Sequence, residues 1–404
     1  MKKLLIICGG KFQIPIVKKA KEMGYFVINS NLYENSPAFK YADSHYVIDV
    51  LNWQKNLEVA KKEHVDGVIS EQSEISVRTV AKVSEALNLK SISTELSKLY
   101  TNKYLMREFC RQNNFFYPKY LKTTDKKKAC DFVKRINKKT IMKPLDAMSS
   151  RGIYIINTVD DVISNFENCC KNSSDKKSVI IEEYIDGPEF TVDGITINGK
   201  HYCLAISEKQ HFKHNPSIAN RLFFSYSNEK YNYDELRKVC NSIIESSQLK
   251  FGLTHSEFKF YNNKFYLIEM AARGGGGNIA TDIVPFISGI DNYKYYISSA
   301  ANDLINFDEM DFLNTIKCSK NKIAVLGFLD FDSKGLPIKE IVGLDFVKKI
   351  EGLHKLQINF EIGDIIKHAE DDSSRSVSYI LLSDSKEKLL RNEKLIIDSL
   401  KIRF

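Results

Sequence analysis

Glu257 and Glu269 sit on the two arms of a predicted β-hairpin, His255–Phe260 and Phe265–Glu269, joined by a turn at Tyr261-Asn262-Asn263-Lys264. Two carboxylates facing the same way repel each other unless something neutralises them. A magnesium ion with nucleotide phosphates would do so, because it is a hard cation that needs only one or two carboxylates beside phosphate and water. Two solvent-facing glutamates are the plainer alternative, which is weakened because Glu269 ends an apolar run. The next residues are Ala271-Ala272-Arg273-Gly274-Gly275-Gly276-Gly277-Asn278, and they hold four of the chain's 19 glycines. A flexible linker is disfavoured there, since the preceding strand and Ile279–Ile287 both read as buried. Glycines beside an arginine let backbone N–H groups come close to an anion.

Two upstream segments have related chemistry. In Ile141–Ile153, Lys143 ends a strand and is followed by a small-residue loop containing Ser149, Ser150, Arg151 and Gly152. A compact ammonium beside loop N–H groups suits polyphosphate, although a surface turn explains the pattern as well. In Ile180–Phe190, an apolar strand ends in Glu182-Glu183-Tyr184-Ile185, turns at Gly187-Pro188 and restarts with Glu189. Such a backbone strip can pair with a purine edge, and the carboxylate one turn on can accept from ribose hydroxyls. A hairpin with solvated charges is the alternative. His211-Phe212-Lys213-His214 has metal-like spacing but no third partner nearby, and reads as a surface loop. His255 shares a strand face with Glu257 and is a candidate for contacting substrate or nucleotide. Glu71-Gln72-Ser73-Glu74 opens a helix after a strand, either as a cap or as a substrate contact through Glu71 or Glu74.

The elements that must hold these groups begin with an alternating strand–helix pattern. Strands are expected at Lys3–Cys8, Tyr25–Ile28, Tyr46–Val50 and Val65–Ser70, with helices after the first and the fourth. That order implies a parallel sheet covered on both faces, with ligands at the carboxyl ends of its strands. The first turn, Cys8-Gly9-Gly10-Lys11-Phe12, does not fit G-x-G-x-x-G, and no acidic residue ends the second strand, so a dinucleotide site is disfavoured. Residues 101–135 read as helical and basic. Further strands are expected at Thr140–Lys143, Ile153–Ile156 and Val179–Glu183, and within 190–206 and 255–269. Residues 320–404 read as a separate α+β unit with a strand at Ile323–Asp330 and a closing helix from Ser385 to Leu400.

The chain has 404 residues, 43% hydrophobic and 27% charged, which is ordinary globular usage for a chain of several domains. No apolar run approaches the roughly 20 residues that cross a bilayer. The opening Met1–Gly10 has too short an apolar stretch for a signal peptide and reads as a first buried strand. The net charge of +8 is spread along the chain as lysines among acidic residues. This argues against a nucleic-acid groove and leaves room for a small anionic ligand. Eight cysteines form no CxxC pair, so reduced thiols in a cytoplasmic protein are expected.

In this order and spacing, the four segments resemble the ATP-grasp superfamily. The likeness is nearest to the carboxylate–amine ligase branch that includes L-amino-acid ligases, and the layout is similar to biotin carboxylase and carbamoyl-phosphate synthetase. The resemblance implies a mixed α/β and α+β chain: a Rossmann-like pre-ATP-grasp domain (1–100), grasp subdomains (101–185, with a phosphate lid at 146–152, and 186–315) and a C-terminal α+β domain (316–404). It implies ATP and Mg2+, with Mn2+ as a substitute, and small-molecule carboxylate and amine partners rather than nucleic acid or membrane. Homodimers are common in similar proteins.

Residue by residue, the resemblance assigns phosphate contacts to Lys103, Lys143, Lys209 and the Ser149-Ser150-Arg151-Gly152 lid. It assigns the adenine hinge to Glu182, Glu183, Tyr184 and Ile185, with Glu182 and Ile185 acting largely through main chain, and ribose binding to Glu189. Glu257 and Glu269 become the metal ligands. Arg273, with the N–H groups of Gly274–Gly277 (Gly275 and Gly276 among them), faces the developing oxyanion, and Lys143 assists catalysis. The implied reaction activates a carboxylate as an acyl phosphate, joins it to an amine and releases ADP and phosphate. The alternatives are a kinase-like or carbamoyl-phosphate-type enzyme and a non-catalytic ATP-binding regulatory module. Two positions depart from the pattern. Asn102 stands where Asp is usual, and Ala271 stands where the third metal ligand is usually Asn, so a neighbour or water must complete the shell or only one ion binds tightly.

Overall fold

The computed structural model describes residues 1–147, 151–303 and 306–404. The first sheet contains β1 (Lys3–Ile7), β2 (Phe26–Asn31), β3 (Ser44–Val47) and β4 (Gly67–Ile69), all parallel, in the order β3-β2-β1-β4. Leu4–Ile7 are wholly buried, as a central strand covered on both faces requires. The third strand ends at Val47, short of the expected Val50. The helix after β4 starts at Val77, so Glu71–Ser76 form a connecting loop rather than a first helical turn.

The second sheet holds β5 (Tyr120–Thr123), β6 (Thr140–Pro144), β7 (Tyr154–Ile156) and β8 (Val179–Glu183), antiparallel in the order β5-β8-β6-β7. β5 was not expected. The helical reading of 101–135 resolves into Lys103–Gln112 and Lys126–Ile136, with β5 between them.

The third sheet is the largest. Its strands β9 (Glu189–Ile197), β10 (Lys200–His211), β11 (Ala219–Phe224), β12 (Gly252–Tyr261), β13 (Lys264–Ala271) and β14 (Ile323–Leu329) are followed by β15 (Glu340–Val342), which lies outside it. β16 (Leu353–Ile358) and β17 (Val377–Ser383) then complete the order β13-β12-β9-β10-β11-β14-β17-β16, antiparallel throughout. β15 pairs with β18 (Lys401–Arg403). β14, β16 and β17 therefore continue the sheet that carries the glutamate hairpin.

β9 is buried along all nine residues and sits between β12 and β10. Its alternation divides the work. Phe190 and Val192 pack against Leu236, Cys240 and Ile243 of the helix Tyr233–Ser246. Glu189, Thr191 and Asp193 face the other way. No helix among the described residues is long and apolar enough to cross a membrane.

Candidate functional site

A cavity of about 700 Å³ opens between the three sheets. It is lined by Lys103, Lys143, Glu182–Ile185, Glu189, Lys209, Glu257, Glu269 and Arg273 among others. Antiparallel register explains how these distant residues meet. Glu257 pairs with Glu269 across β12 and β13, Glu189 pairs with Lys209 across β9 and β10, and Glu189 pairs with Lys259 across β9 and β12. Cross-strand partners share a face, so the carboxylates and lysines of four strands project into one space.

Each lysine of this set is held by a carboxylate. Lys103 opens its helix behind Asn102, whose side chain accepts from the Leu105 N–H and so serves as the helix cap. Its Nζ lies 2.9 Å from Glu269 Oε1 and 3.0 Å from the Ala147 carbonyl. Lys209 Nζ lies 2.6 Å from Glu189 Oε1 and 3.1 Å from Glu257 Oε1. Lys143 Nζ lies 3.0 Å from Glu182 Oε2. Burial alone would raise the Glu189 carboxyl, but Lys209 outweighs it and holds the group down at about 2. Glu257 is likewise held well below the usual carboxylate range, with Lys209 and His255 overcoming its burial.

Glu182, expected to act largely through its main chain, keeps its side chain inside the protein. Its side chain has no exposure and is the shared counter-ion of Lys143 and Arg107, with Arg107 Nε at 2.6 Å from Oε1. Burial opposes ionisation there, yet the two cations hold the carboxyl at about 2. Glu183, Tyr184 and Ile185 line the cavity. Lys139 and Lys259 lie over the Tyr184 ring at 4.9 and 4.8 Å. Ser149 and Ser150 lie outside the described residues. Arg151 is exposed, and Gly152 takes φ +69° in the turn after it.

The glycine run also differs from expectation. The Gly274 N–H donates to Glu71 Oε2 at 3.2 Å and the Gly275 N–H to Asp193 Oδ1 at 2.9 Å. Both groups are thus taken by buried carboxylates, and it is Gly276 and Gly277 that line the cavity with Arg273. A Cβ on Gly275 would sit 2.5 Å from Asp193 Oδ1 and 3.0 Å from His255 Nδ1, so only glycine permits this approach. Arg273 donates to the Gly274 carbonyl at 2.9 Å, and its Nη2 lies 3.5 Å from Glu74 Oε2. Its Nε is buried without a hydrogen-bond partner among the described residues. Burial pushes the Glu71 carboxyl up to about 7, against the Gly274 N–H and the Arg273 charge.

Sequence reasoning missed Arg107 and Asp193. Arg107 is four residues after Lys103, a spacing that shares a helix face, and Asp193 continues the Glu189–Thr191 alternation of β9. Both signals were there to read. His211, expected in a surface loop, ends β10 with Nε2 at 3.5 Å from Glu189 Oε2. Arg375 also lines the cavity, with its guanidinium 3.8 Å above the Phe328 ring, and no sequence pattern marked it.

The glutamate pair fits a divalent cation. Two carboxylates of one face are each balanced here by a lysine, and the nearby Asp193 Oδ2 is buried without a hydrogen-bond partner among the described residues.

Residues 136–282 match the family model for the ATP-grasp domain. A formate-dependent phosphoribosylglycinamide formyltransferase of Prochlorococcus marinus (strain MIT 9515) is 26% identical over 200 residues, 47% of this chain and 50% of that protein. The chain thus spans about half the length of the first such relatives. A D-alanine–D-alanine ligase of Pelagibacter ubique (strain HTCC1062) is 26% identical over 299 residues, 68% of this chain and 88% of that one. The crystal structure of an L-amino acid ligase from Bacillus licheniformis superposes with a TM-score of 0.82 at 20% identity, covering 100% of this chain and 99% of that chain. Other solved chains of this fold are ADP or MgADP complexes.

Proposed function

We propose that this chain, whose residues 136–282 match the ATP-grasp family model, is an ATP-dependent ligase that activates a small carboxylate, an amino acid, as an acyl phosphate and joins it to an amine. The observation that carries this reading is that one cavity is lined by Lys103, Lys143 and Lys209 together with the facing pair Glu257 and Glu269, Lys103 meeting Glu269 and Lys209 meeting Glu257. Three ammonium groups answer the charge of a triphosphate, and the glutamates answer the cation that accompanies it. When bound, Mg2+ would supply charge neutralisation at the transferring phosphoryl group, held by Glu257 and Glu269.

The chain's own residues do the rest by positioning and electrostatics. Glu183 to Ile185 form the edge that receives the adenine, and Glu189 accepts from the ribose hydroxyls. Lys143 and Lys103 hold phosphate oxygens after releasing Glu182 and Glu269. Arg273 orients the acid and faces the oxyanion that develops when the amine attacks, beside the Gly276 and Gly277 backbone. The amine expels phosphate and loses a proton, and no covalent enzyme intermediate is needed.

The test is turnover by purified protein with ATP, Mg2+ and paired amino acids, scoring ADP, phosphate and product mass. ADP and phosphate with a product lighter than its parts by one water supports the ligase. AMP release overturns the acyl-phosphate route. A stable phosphorylated product overturns the joining step.

A further inference from the structure

Ala271 has no atom that can ligate a metal, and it occupies a corner of the glutamate patch. The strand register sets His255 directly opposite Ala271 and, two pairs along, beyond Ser256 and Met270, Glu257 opposite Glu269. Cross-strand partners share a face, as do residues two apart on a strand. His255, Glu257, Glu269 and Ala271 therefore form one quadrilateral, with a bare methyl at one corner and an imidazole beside it.

The imidazole is held in a definite pose. His255 is 9% exposed and lines the cavity. Its Nδ1 lies 3.0 Å from Asp193 Oδ1, the oxygen that also accepts the Gly275 N–H. Asp193 itself is the β9 partner of His255. A carboxylate on Nδ1 keeps the N–H there and turns Nε2 outward, the arrangement that metal-binding histidines use. Nε2 lies 3.8 Å from Glu257 Oε1. Adjacent donors of an octahedral ion at about 2.1 Å are roughly 3 Å apart, so a glutamate side-chain shift of under about 1 Å closes the gap.

We propose that His255 Nε2 is the third protein ligand of the divalent cation, in place of the side chain that Ala271 lacks, and that Asp193 is its positioning residue. The inference rests on the nucleotide–metal reading of this cavity. On loading, the cation replaces any proton on Nε2, which leaves to solvent. A nitrogen donor in an oxygen site moves preference from Mg2+ toward Mn2+. His211, the other histidine of the cavity, is turned to Glu189 and lies outside the quadrilateral.

Pulsed EPR of the full chain with Mn2+ and a non-hydrolysable ATP analogue tests this. The expected spectrum carries nitrogen coupling from a directly bound imidazole, which changes isotope pattern when the histidines are labelled with 15N. The coupling should survive His211→Ala and vanish in His255→Ala, and Mn2+ affinity should fall about tenfold or more in the latter. The double variant His255→Ala with Ala271→Asn should recover affinity without recovering the nitrogen signal. The labelled wild-type and His211→Ala spectra decide the matter even if His255→Ala does not fold. Bound Mn2+ without histidine coupling overturns the inference and leaves the ligase reading standing. No Mn2+ bound beside the analogue overturns both.

Discussion

Arg107 and Glu182 form an ion pair from which solvent is wholly excluded, with Nε 2.6 Å from Oε1 and no accessible surface on either side chain. The pair fastens the helix Lys103–Gln112 to β8. Arg107 also donates to the Ile268 carbonyl at 2.6 Å, which ties the same helix to β13. Lys103 starts that helix and Glu269 follows Ile268, so one buried guanidinium sets the distance between the lysine proposed for phosphate and the glutamate proposed for the metal.

Removing Arg107 leaves the buried Glu182 with Lys143 as its counter-ion and takes the guanidinium donor from the Ile268 carbonyl; breaking a buried pair by removing one partner costs up to about 3–5 kcal/mol. Arg107→Leu should therefore lower the urea midpoint of the main unfolding transition sharply. Lys98→Ala breaks a pair whose side chains are 49% and 82% exposed and should change stability by no more than about 1 kcal/mol. Similar midpoints for the two variants would show that the enclosed pair is not organising the fold.

The metal and ribose assignments separate by readout. Glu269→Ala should lower kcat at least about a hundredfold, since it removes a group that acts on the transferring phosphate. Adenosine affinity should change little, because Glu269 is proposed to meet the cation and not the adenine edge proposed at Glu183–Ile185. Glu189→Ala should instead weaken nucleotide binding about tenfold or more, through loss of the proposed ribose contact and of one of the two carboxylates that hold Lys209. Equal and small effects in steady-state kinetics and nucleotide titration would sink both assignments.

The sequence showed the glutamate hairpin and its turn, but not its register: with Tyr261 opposite Lys264 the turn alone would set Glu257 opposite Ile268, and a bulge between Glu257 and Phe258 brings Glu269 opposite instead. It showed the parallel first sheet through continuous apolar strands separated by helical periods. Pairing between distant segments was not legible. Nothing local says that Glu182 will meet Arg107, or that β14, β16 and β17 will extend the sheet of β9 to β13. The glycine run misled in one respect. Its composition announced close approach, but the partners turned out to be the buried carboxylates Glu71 and Asp193.

Glu71 gives the fold a pH signature. Its carboxyl is raised from 4.5 to about 7 by burial, so the folded state favours the protonated form. Below about 4.5 both states bind the proton and the group exacts no penalty. As pH rises from 4.5 to 7 the unfolded chain loses its proton first, and stability falls, with the full penalty reached above 7. Glu71→Gln should match wild type in thermal melts at pH 4.5 and exceed it at pH 8, by on the order of 3 kcal/mol at most. A difference that does not grow with pH would place an ionised, well-solvated carboxylate at this position.

Adjacent glycines should respond differently to the same added methyl. Gly275→Ala would press a Cβ against Asp193 Oδ1 and His255 Nδ1, whereas Gly276 has nothing within 4 Å of an added Cβ. Gly275→Ala should cost about 1–3 kcal/mol of stability by overpacking and should displace His255 from the glutamate patch. Gly276→Ala should keep wild-type stability, and it should raise KM only if substrate comes as close to that backbone as the cavity lining implies. Thermal melts of both variants and Mn2+ titration of each measure the contrast. Loss of stability in Gly276→Ala with none in Gly275→Ala would reverse the assignment of which glycine faces the protein and which faces the cavity.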